Sequence, residues 1–263
     1  MFGSSAGFFQ SPNADWGERV LNTVVSQSIR HLFTESEAVE VEIHCQPSSK
    51  LLQGSVDSFK MCGTGLVIRR DFRVEEMSFE TDAVAVDFSS VLRGQLQLKQ
   101  PTQAIAQIRL SQKGLVNAFQ SDLVRKRLRF LENPELTQFS NGEPVSFSNI
   151  QIELLPNNRV QLGADVDLSS NGKLPVRIEA KLVTERRRRI LFDQATPLLD
   201  AVPEADRDRS QALTNAFIDI LNNMVDLDRF DLDGVTMRIN RLETQGQDLL
   251  FSGYAQIDRF PGS

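Results

Sequence analysis

The sequence has little of what catalytic and metal sites require. Its 263 residues include only two histidines, His31 and His44, and neither has a histidine or cysteine partner at a zinc-binding spacing. The GTGL segment at residues 63–66 lacks the Gly-Lys-Ser/Thr ending and the following helix of a phosphate-binding loop. Carboxylate pairs such as Glu40 and Glu42 leave a hydrolase as an alternative, although their alternating neighbours favour a solvated strand face. We therefore predict no catalytic residue, no metal site and no cofactor.

Cysteines and long apolar runs are also scarce. The two cysteines, Cys45 and Cys62, are too few for a disulfide framework, which is typical of the reducing cytoplasm, and their pairing is open at this point. No segment approaches the roughly 20 apolar residues that span a bilayer. The first residues lack the basic and apolar regions of an export signal. We therefore expect a cytoplasmic protein. Any membrane association should be peripheral, on the cytoplasmic face of the membrane.

The formal charge of −6 argues against a nucleic-acid-binding protein, because phosphate binding requires a basic face. Three basic clusters nevertheless occur, near residues 69–73, 125–129 and 186–189. Such clusters can bind an anionic lipid surface, each cation contributing roughly 1 kcal/mol, or can be solvated strand edges and helix faces. The candidates for headgroup binding or membrane docking are Arg69, Arg70, Arg125, Arg127, Arg186, Arg187, Arg188 and Arg189. Replacing residues 186–189 with serine should then weaken liposome binding and leave thermal stability nearly unchanged.

Short apolar segments separated by glycine and polar residues run through residues 51–110 and predict a meander of antiparallel strands. Residues 39–45 alternate apolar and polar side chains, as a strand with one buried face does. Hairpin turns are predicted in a second group of strands at PNN, residues 156–158, and at SSNG, residues 169–172. The predicted strands cover about residues 39–45, 55–61, 65–68, 73–79, 83–88, 95–98, 104–110, 145–154, 159–168, 174–183, 190–192, 235–242 and 248–257.

Helical spacing of apolar residues predicts three amphipathic helices, at about residues 15–33, 111–132 and 206–224. The first helix is capped by Asn13 or Asp15, and the second begins at Ser111. Strands and helices thus recur as two loose halves, at about residues 15–133 and 144–258. We expect a single domain over residues 15–260, preceded by a flexible tail at residues 1–14.

The aromatic residues are mostly phenylalanine, with 17 Phe against one Tyr and one Trp. Phe, Leu and Val side chains form a wall without hydrogen-bonding demand, which suits acyl chains and also an ordinary core. The candidates for lining a lipid groove are Val20, Val24, Leu66, Ile68, Val84, Val86, Phe88, Phe119, Phe217 and Leu221.

Turn and apolar residues recur in a recognisable order along the chain. They are Leu52 and Gly54, then Gly94, Leu98 and Pro101, then Ser111, Leu115 and Asn117, followed by the closing segment at residues 231–257. This order resembles the LmeA-like phospholipid-binding family over about residues 15–258. The resemblance implies an α+β fold in which an elongated, strongly curved antiparallel sheet wraps two or three amphipathic helices in a tubular shape. It also implies an apolar groove for phospholipid and no catalytic residues.

Two functions are consistent with these patterns. The first is a non-enzymatic phospholipid-binding or lipid-transfer protein, peripheral to a membrane, with a phospholipid or other acyl lipid and an anionic membrane surface as partners. The second is a protein-interaction scaffold with a fully packed core and no ligand. The first predicts lipid in the purified protein, whereas the second predicts a stable protein partner.

Overall fold

The computed structural model describes residues 22–259 apart from residues 24, 27, 28, 31, 32, 48, 69–71, 94, 96, 170, 171, 201 and 230–233. Only the backbone is described at residues 51, 52, 91, 92, 123 and 229. The predicted tail and much of the first predicted helix lie outside the described residues, as do Val20, Val24, Arg69 and Arg70. Of that helix, residues 22, 23, 25, 26, 29, 30 and 33 are described, and all but residue 33 are helical.

The described residues form antiparallel strands connected by turns and mostly short helices. The strands are β1 (Ala38–His44), β2 (Ser55–Val56), β3 (Ser58–Ile68), β4 (Phe72–Thr81), β5 (Val84–Ala85), β6 (Thr102–Ser111), β7 (Ser146–Leu155), β8 (Arg159–Asp167), β9 (Lys173–Glu185), β10 (Arg189–Pro197), β11 (Val235–Gln245) and β12 (Asp248–Ile257). The helices are α1 (Ser49–Leu52), α2 (Phe88–Leu92), α3 (Gln112–Gln120), α4 (Asp122–Arg125), α5 (Pro134–Thr137) and α6 (Arg207–Met224), with 3₁₀ turns at Glu204–Asp206 and Leu227–Arg229.

The larger sheet has six strands in the order β1-β3-β4-β6-β12-β11. Its side chains alternate between a buried and an outward face, most regularly in β6, where every even-numbered residue from 102 to 110 is buried. The outward face carries ion pairs, including Arg109 with Glu76 and, at 3.1 Å, with Asp248. Burial in β6 therefore follows the alternation that is visible in its sequence.

The smaller sheet has four strands in the order β10-β9-β8-β7. The even-numbered residues 160–166 of β8 lie opposite the even-numbered residues 174–180 of β9, and all of them are buried. Helix α6 packs against β9 and β10. Its Phe217 ring stacks on the Phe147 ring of β7, with 4.8 Å between the centroids. The helix and the apolar face of this sheet thus bury each other.

Side-chain hydrogen bonds join the two sheets. In the turn between β7 and β8, Asn158 donates from its backbone to Thr244 Oγ1 at 3.0 Å and from its side chain to the Leu242 carbonyl at 2.8 Å. At the start of α3, the side-chain oxygen of Gln112 accepts from the Leu154 N–H at 2.8 Å. The buried apolar residues of both sheets belong to one cluster. A single hydrophobic core therefore extends across the two sheets.

The predicted antiparallel strands are confirmed in the main, but they form separate sheets of six, four and two strands. The predicted strands at 55–61 and 65–68 fall mostly in one strand, β3. Gly65, at a φ of 58°, lets β3 bend without ending the ladder. Residues 83–88 form only the short β5 before α2 begins, and the described residues 95, 97 and 98 do not form the predicted strand. There Leu98 makes an isolated bridge to Val86.

The prediction of one continuous helix over residues 111–132 is wrong. Helix α3 ends at Gln120, and Ser121 then caps the separate turn α4 by accepting from the Val124 N–H at 3.4 Å. Beyond α4, Leu131 and Val145 exchange backbone hydrogen bonds of 2.8 and 2.9 Å. Serine offers the backbone a cap in place of a helical bond. The helix therefore stops at this point, although the helical spacing of apolar residues continues beyond it.

Two local predictions are confirmed. The third predicted helix, at residues 206–224, is α6 with its start shifted by one residue. The PNN turn joins β7 to β8, with Asn157 and Asn158 at φ values of 62° and 61°. This is the left-handed region that tight hairpin turns require and that asparagine tolerates.

Candidate functional site

The buried face of the larger sheet has small residues at its centre. Ala106 in β6 lies opposite Gly253 in β12, and Ala104 lies opposite Ala255. All four are buried. At Gly253 a Cβ atom would lie 1.9 Å from the Arg238 carbonyl oxygen, next to a register shift in β11, so glycine is required there. The side chains at this centre occupy little volume, and whatever packs on it approaches the backbone closely.

Larger apolar side chains border this centre on the same face. Met61 lies opposite Phe79 across β3 and β4. In the neighbouring row, Met77 lies opposite Ile108, which in turn lies opposite Phe251. Phe provides an apolar surface without hydrogen-bonding groups, and the unbranched Met side chain fits irregular shapes. The small centre with its Met and Phe border, here called the inner face, is chemically suited to contact with acyl chains.

The sequence analysis missed the inner face as a candidate site, although β6 and β12 carry a signal for it. Residues 249, 251, 253, 255 and 257 of β12 lie opposite the buried residues of β6. Small residues at 104, 106, 253 and 255 recur in both strands at the strand period of two. The choice of groove candidates relied on bulky apolar residues, so it passed over the alanines and glycine that form the centre.

The predicted groove residues are spread over several elements. Leu66 and Ile68 lie at the end of β3, Val84 and Val86 lie in and beside β5, and Phe88 begins α2. Leu66, Val84 and Val86 are buried, whereas Ile68 and Phe88 are half-buried. These residues belong to the shared core or pack against it, and their contact with a lipid stays a prediction.

Three further groove candidates lie on helices. Phe119 is half-buried on α3 and packs against the core. Phe217 and Leu221 are fully buried on α6, which covers the smaller sheet. Phe217 and Leu221 thus lie with the smaller sheet, whereas Leu66 and Val84 lie in the part of the chain that contains β1 to β5.

An open pocket of about 460 Å³ lies beside α6. Its lining combines Ile220 and Met224 with the charged residues Arg127, Glu135 and Asp219. Arg127, one of the predicted docking residues, donates here to the Met224 carbonyl oxygen at 3.1 Å. Burying acyl chains against charged groups is unfavourable, so this pocket suits polar ligands better than a lipid tail.

The first three residues of the arginine run, 186–188, form the turn between β9 and β10, and Arg189 begins β10. Arg186 and Arg187 have φ values of 48° and 59°, in a region that residues other than Gly, Asn and Asp rarely adopt. The turn docks on β11, where the Ile239 N–H donates to the Arg187 carbonyl at 2.6 Å. The Arg187 guanidinium lies 4.6 Å from the centre of the Tyr254 ring, a cation–π contact. These contacts hold the turn in its unusual conformation.

The next two arginines bind acceptors on neighbouring elements. Arg188 lies 2.6 Å from Asp228, and its hydrogen bond is the main cause of the lowered pKa of that carboxyl. Arg189 donates to Glu185 at 2.8 Å and to the Asn222 carbonyl at 2.9 Å. The last three arginines of the run therefore have partners within the protein. The side chains of Arg186 and Arg187 are exposed, and those of Arg188 and Arg189 are half-buried.

The basic cluster at residues 125–129 follows the break after α3. Arg125 lies 3.8 Å from Asp122, which is near the limit of an ion pair. Lys126 and Arg129 are exposed. After them in sequence, Phe130 is 76% exposed, the largest value among the exposed large apolar residues of the described chain. In this cluster, exposed cations thus precede in sequence an apolar side chain that faces solvent.

Among the described residues, no group of His, Cys, Asp and Glu side chains could hold a metal ion. Cys45 and Cys62 are not joined in a disulfide, and burial is the main cause that raises the pKa of the Cys62 thiol. A raised thiol pKa disfavours the reactive thiolate. Within the same part of the chain, no helix has the length and apolarity to cross a bilayer.

The fold and the inner face define a class of protein, an α+β protein whose open antiparallel sheet buries a face of small and flexible apolar residues. The sequence profile of the LmeA-like phospholipid-binding family matches residues 13–253. The chain belongs to this family, which confirms the resemblance seen in the sequence. The family is described as phospholipid-binding and not as a family of enzymes.

Comparisons with individual proteins add little to the family assignment. None of the curated proteins compared matches this sequence. Among solved structures, the di-domain ARO/CYC StfQ from the steffimycin biosynthetic pathway is 10% identical, with 93% of this chain and 82% of that chain covered. The TM-score is 0.17, so this similarity supports no statement about fold or function.

Proposed function

We propose that this protein binds a phospholipid, or another acyl lipid, through the inner face and exchanges it with a membrane on which it docks peripherally. Membership in the LmeA-like phospholipid-binding family carries this proposal. The inner face supports it, because each methylene removed from water contributes about 0.8 kcal/mol. Exposed ion pairs contribute less, so burial of acyl chains sets the affinity and the cations tune headgroup preference.

In this proposal residues 15–260 act as one lipid-binding domain, whose sheet curves around the helices to form a tubular groove. The apolar cluster shared by both sheets supports a single domain. The membrane surface is anionic, since the basic clusters are complementary to it in charge. Following the expectation from the sequence, it is the cytoplasmic face of a membrane, and no catalytic step is involved.

Lipid extraction followed by mass spectrometry tests the proposal. We expect phospholipid in the purified protein, and a several-fold lower lipid content in the variant Ala106→Phe, whose ring occupies volume at the centre of the inner face. The matched control is Ile105→Phe, because Ile105 adjoins Ala106 in β6 but is 62% exposed on the outward face. Ala104→Val adds a smaller volume to the inner face, and it replaces Ala106→Phe in the experiment if that variant does not fold. Equal lipid content in inner-face and control variants would contradict the proposal.

A protein-interaction scaffold is the second candidate. The complete burial of Phe217 and Leu221 favours it, because a tightly packed core leaves less room for a ligand. The scaffold predicts no extractable lipid, no liposome binding and a stable protein partner in pull-downs. Repeated absence of lipid together with no liposome binding would select it over lipid binding.

A further inference from the structure

Phe130 presents an aromatic ring to solvent from an uncommon backbone conformation. Its φ is 54°, which is unusual for a bulky side chain, and 76% of its surface is exposed. The backbone conformation is unfavourable and the ring buries little surface in return. Such a combination persists only where neighbouring structure imposes it, and it is a reason to look for a function.

Hydrogen bonds on both sides hold Phe130 in place. The Phe147 N–H donates to the Leu128 carbonyl at 2.7 Å, and the Leu131 N–H donates to the Val145 carbonyl at 2.8 Å. Between these two bonds, the Phe130 N–H donates to Ser146 Oγ at 3.0 Å. Leu128 itself is 1% exposed. Residues 129 and 130 therefore project from a segment that is fixed to the start of β7, and the ring is presented from a rigid base.

The charges around Phe130 indicate what the ring meets. Residues 122–132 contain four cations and two carboxylates, in a chain whose formal charge is −6. Lys126 and Arg129, which precede Phe130 by four residues and by one residue, are exposed. The other strongly exposed apolar side chain, Ile105, lies in a different setting, with Glu80 opposite it in β4. Phe72 also adjoins a basic residue, Arg73, but it is only 37% exposed, and Arg73 is bound to Glu37 at 2.6 Å.

We propose that Phe130 inserts into the headgroup region of an anionic membrane while Lys126 and Arg129 bind the lipid phosphates. Aromatic side chains favour the membrane interface, and nearby basic residues strengthen binding to anionic lipids. A single ring with exposed cations is a small contact, whereas a stable protein partner needs a far larger buried area. The inference rests on the proposed function, because it supplies the contact through which a bound lipid is exchanged.

Sedimentation with vesicles tests this contact, using phosphatidylcholine alone and an equal mixture of phosphatidylcholine and phosphatidylglycerol. The full chain should bind the mixed vesicles more tightly. Phe130→Asn should weaken that binding about tenfold, and asparagine tolerates the left-handed backbone, so the fold is retained. Arg129→Gln should weaken it about fivefold and only on the mixed vesicles. The matched control Ile105→Thr removes exposed apolar surface from a strand and should bind as the wild type does.

Lipid content, measured in parallel by mass spectrometry, separates this inference from the proposed function. Loss of vesicle binding by Phe130→Asn with unchanged lipid content supports insertion at Phe130. Wild-type vesicle binding by Phe130→Asn, or an equal loss in Ile105→Thr, overturns it. Absence of vesicle binding by the wild type also overturns it, and the lipid content then decides the proposed function by itself.

Discussion

The basic clusters at residues 125–129 and 186–189 have similar sequences and different surroundings. In the second cluster, Arg187 contacts the Tyr254 ring and Arg188 binds Asp228. In the first, Lys126 and Arg129 are exposed and precede Phe130 in sequence. A run of arginines is therefore not by itself a membrane-binding site, because the cations that already have partners within the protein lose those partners if they bind a lipid.

The backbone explains this difference. Residues 186–187 form a tight turn between two long strands, β9 and β10, and the turn reaches β11, where Ile239 binds the Arg187 carbonyl. Residues 125–129 follow an interrupted helix and lead into the bridge between Leu131 and Val145. The turn of one cluster is thus bound to a third strand, whereas the segment of the other is bound to the start of β7 and leaves Lys126 and Arg129 exposed.

The largest expected effect is on stability in the hairpin cluster. Replacing Arg187 and Arg188 with serine removes the cation–π contact and the ion pair to Asp228. We expect the free energy of unfolding to fall by more than in the control Arg186→Ser, because the contacts that hold the turn in its unfavourable backbone conformation are lost. Urea unfolding measures the change. The control Arg186→Ser should change stability by less than about 0.5 kcal/mol.

This prediction replaces the expectation from sequence that serines at residues 186–189 leave thermal stability nearly unchanged. The earlier expectation treated the four cations as solvated, whereas the last three bind groups on other elements. If the double variant were as stable as the wild type, the contacts of the second cluster would not contribute to stability, and the proposed difference between the two clusters would be wrong.

A smaller effect is expected on membrane binding. For this property, the cluster at residues 125–129 should matter more than the cluster at residues 186–189. Replacing Lys126 and Arg129 with serine should weaken binding to mixed phosphatidylcholine–phosphatidylglycerol vesicles about tenfold, since each cation near an anionic surface contributes roughly 1 kcal/mol before screening. Urea unfolding of this variant should stay within about 0.5 kcal/mol of the wild type. Equal weakening of vesicle binding by Arg186→Ser would show that both clusters meet the membrane.

The smallest expected effect is on pH dependence. Hydrogen bonds from Arg188 and then Arg238 lower the pKa of Asp228. A carboxyl whose pKa is depressed on folding adds stability above its ordinary titration range and loses that contribution as pH falls through the folded pKa. The difference in unfolding free energy between the wild type and Arg188→Ser should therefore shrink on acidification. A difference that stays constant into the acidic range would mean that Asp228 is not the partner that matters.

Part of the fold and part of the site could be predicted from sequence. The alternation in β6 and β12 predicts both strands, and helical spacing predicts α6. The asparagines at residues 157–158 predict their hairpin turn. Local patterns suffice in these places because neighbouring residues alone decide the backbone conformation. The break at Ser121 escaped prediction, because the apolar spacing continues through it while the chain turns to pair with residue 145.

Residue patterns alone are enough to assign the family, the antiparallel strands and the face of β6 and β12 on which small residues recur. The tertiary structure decided that the strands form separate sheets and that α6 covers the smaller one. It also decided which cations have partners within the protein, because the partner of a guanidinium can be a residue distant in sequence: Arg187 donates to the Ile239 carbonyl, 52 residues away. Local residue patterns carry no record of such a contact.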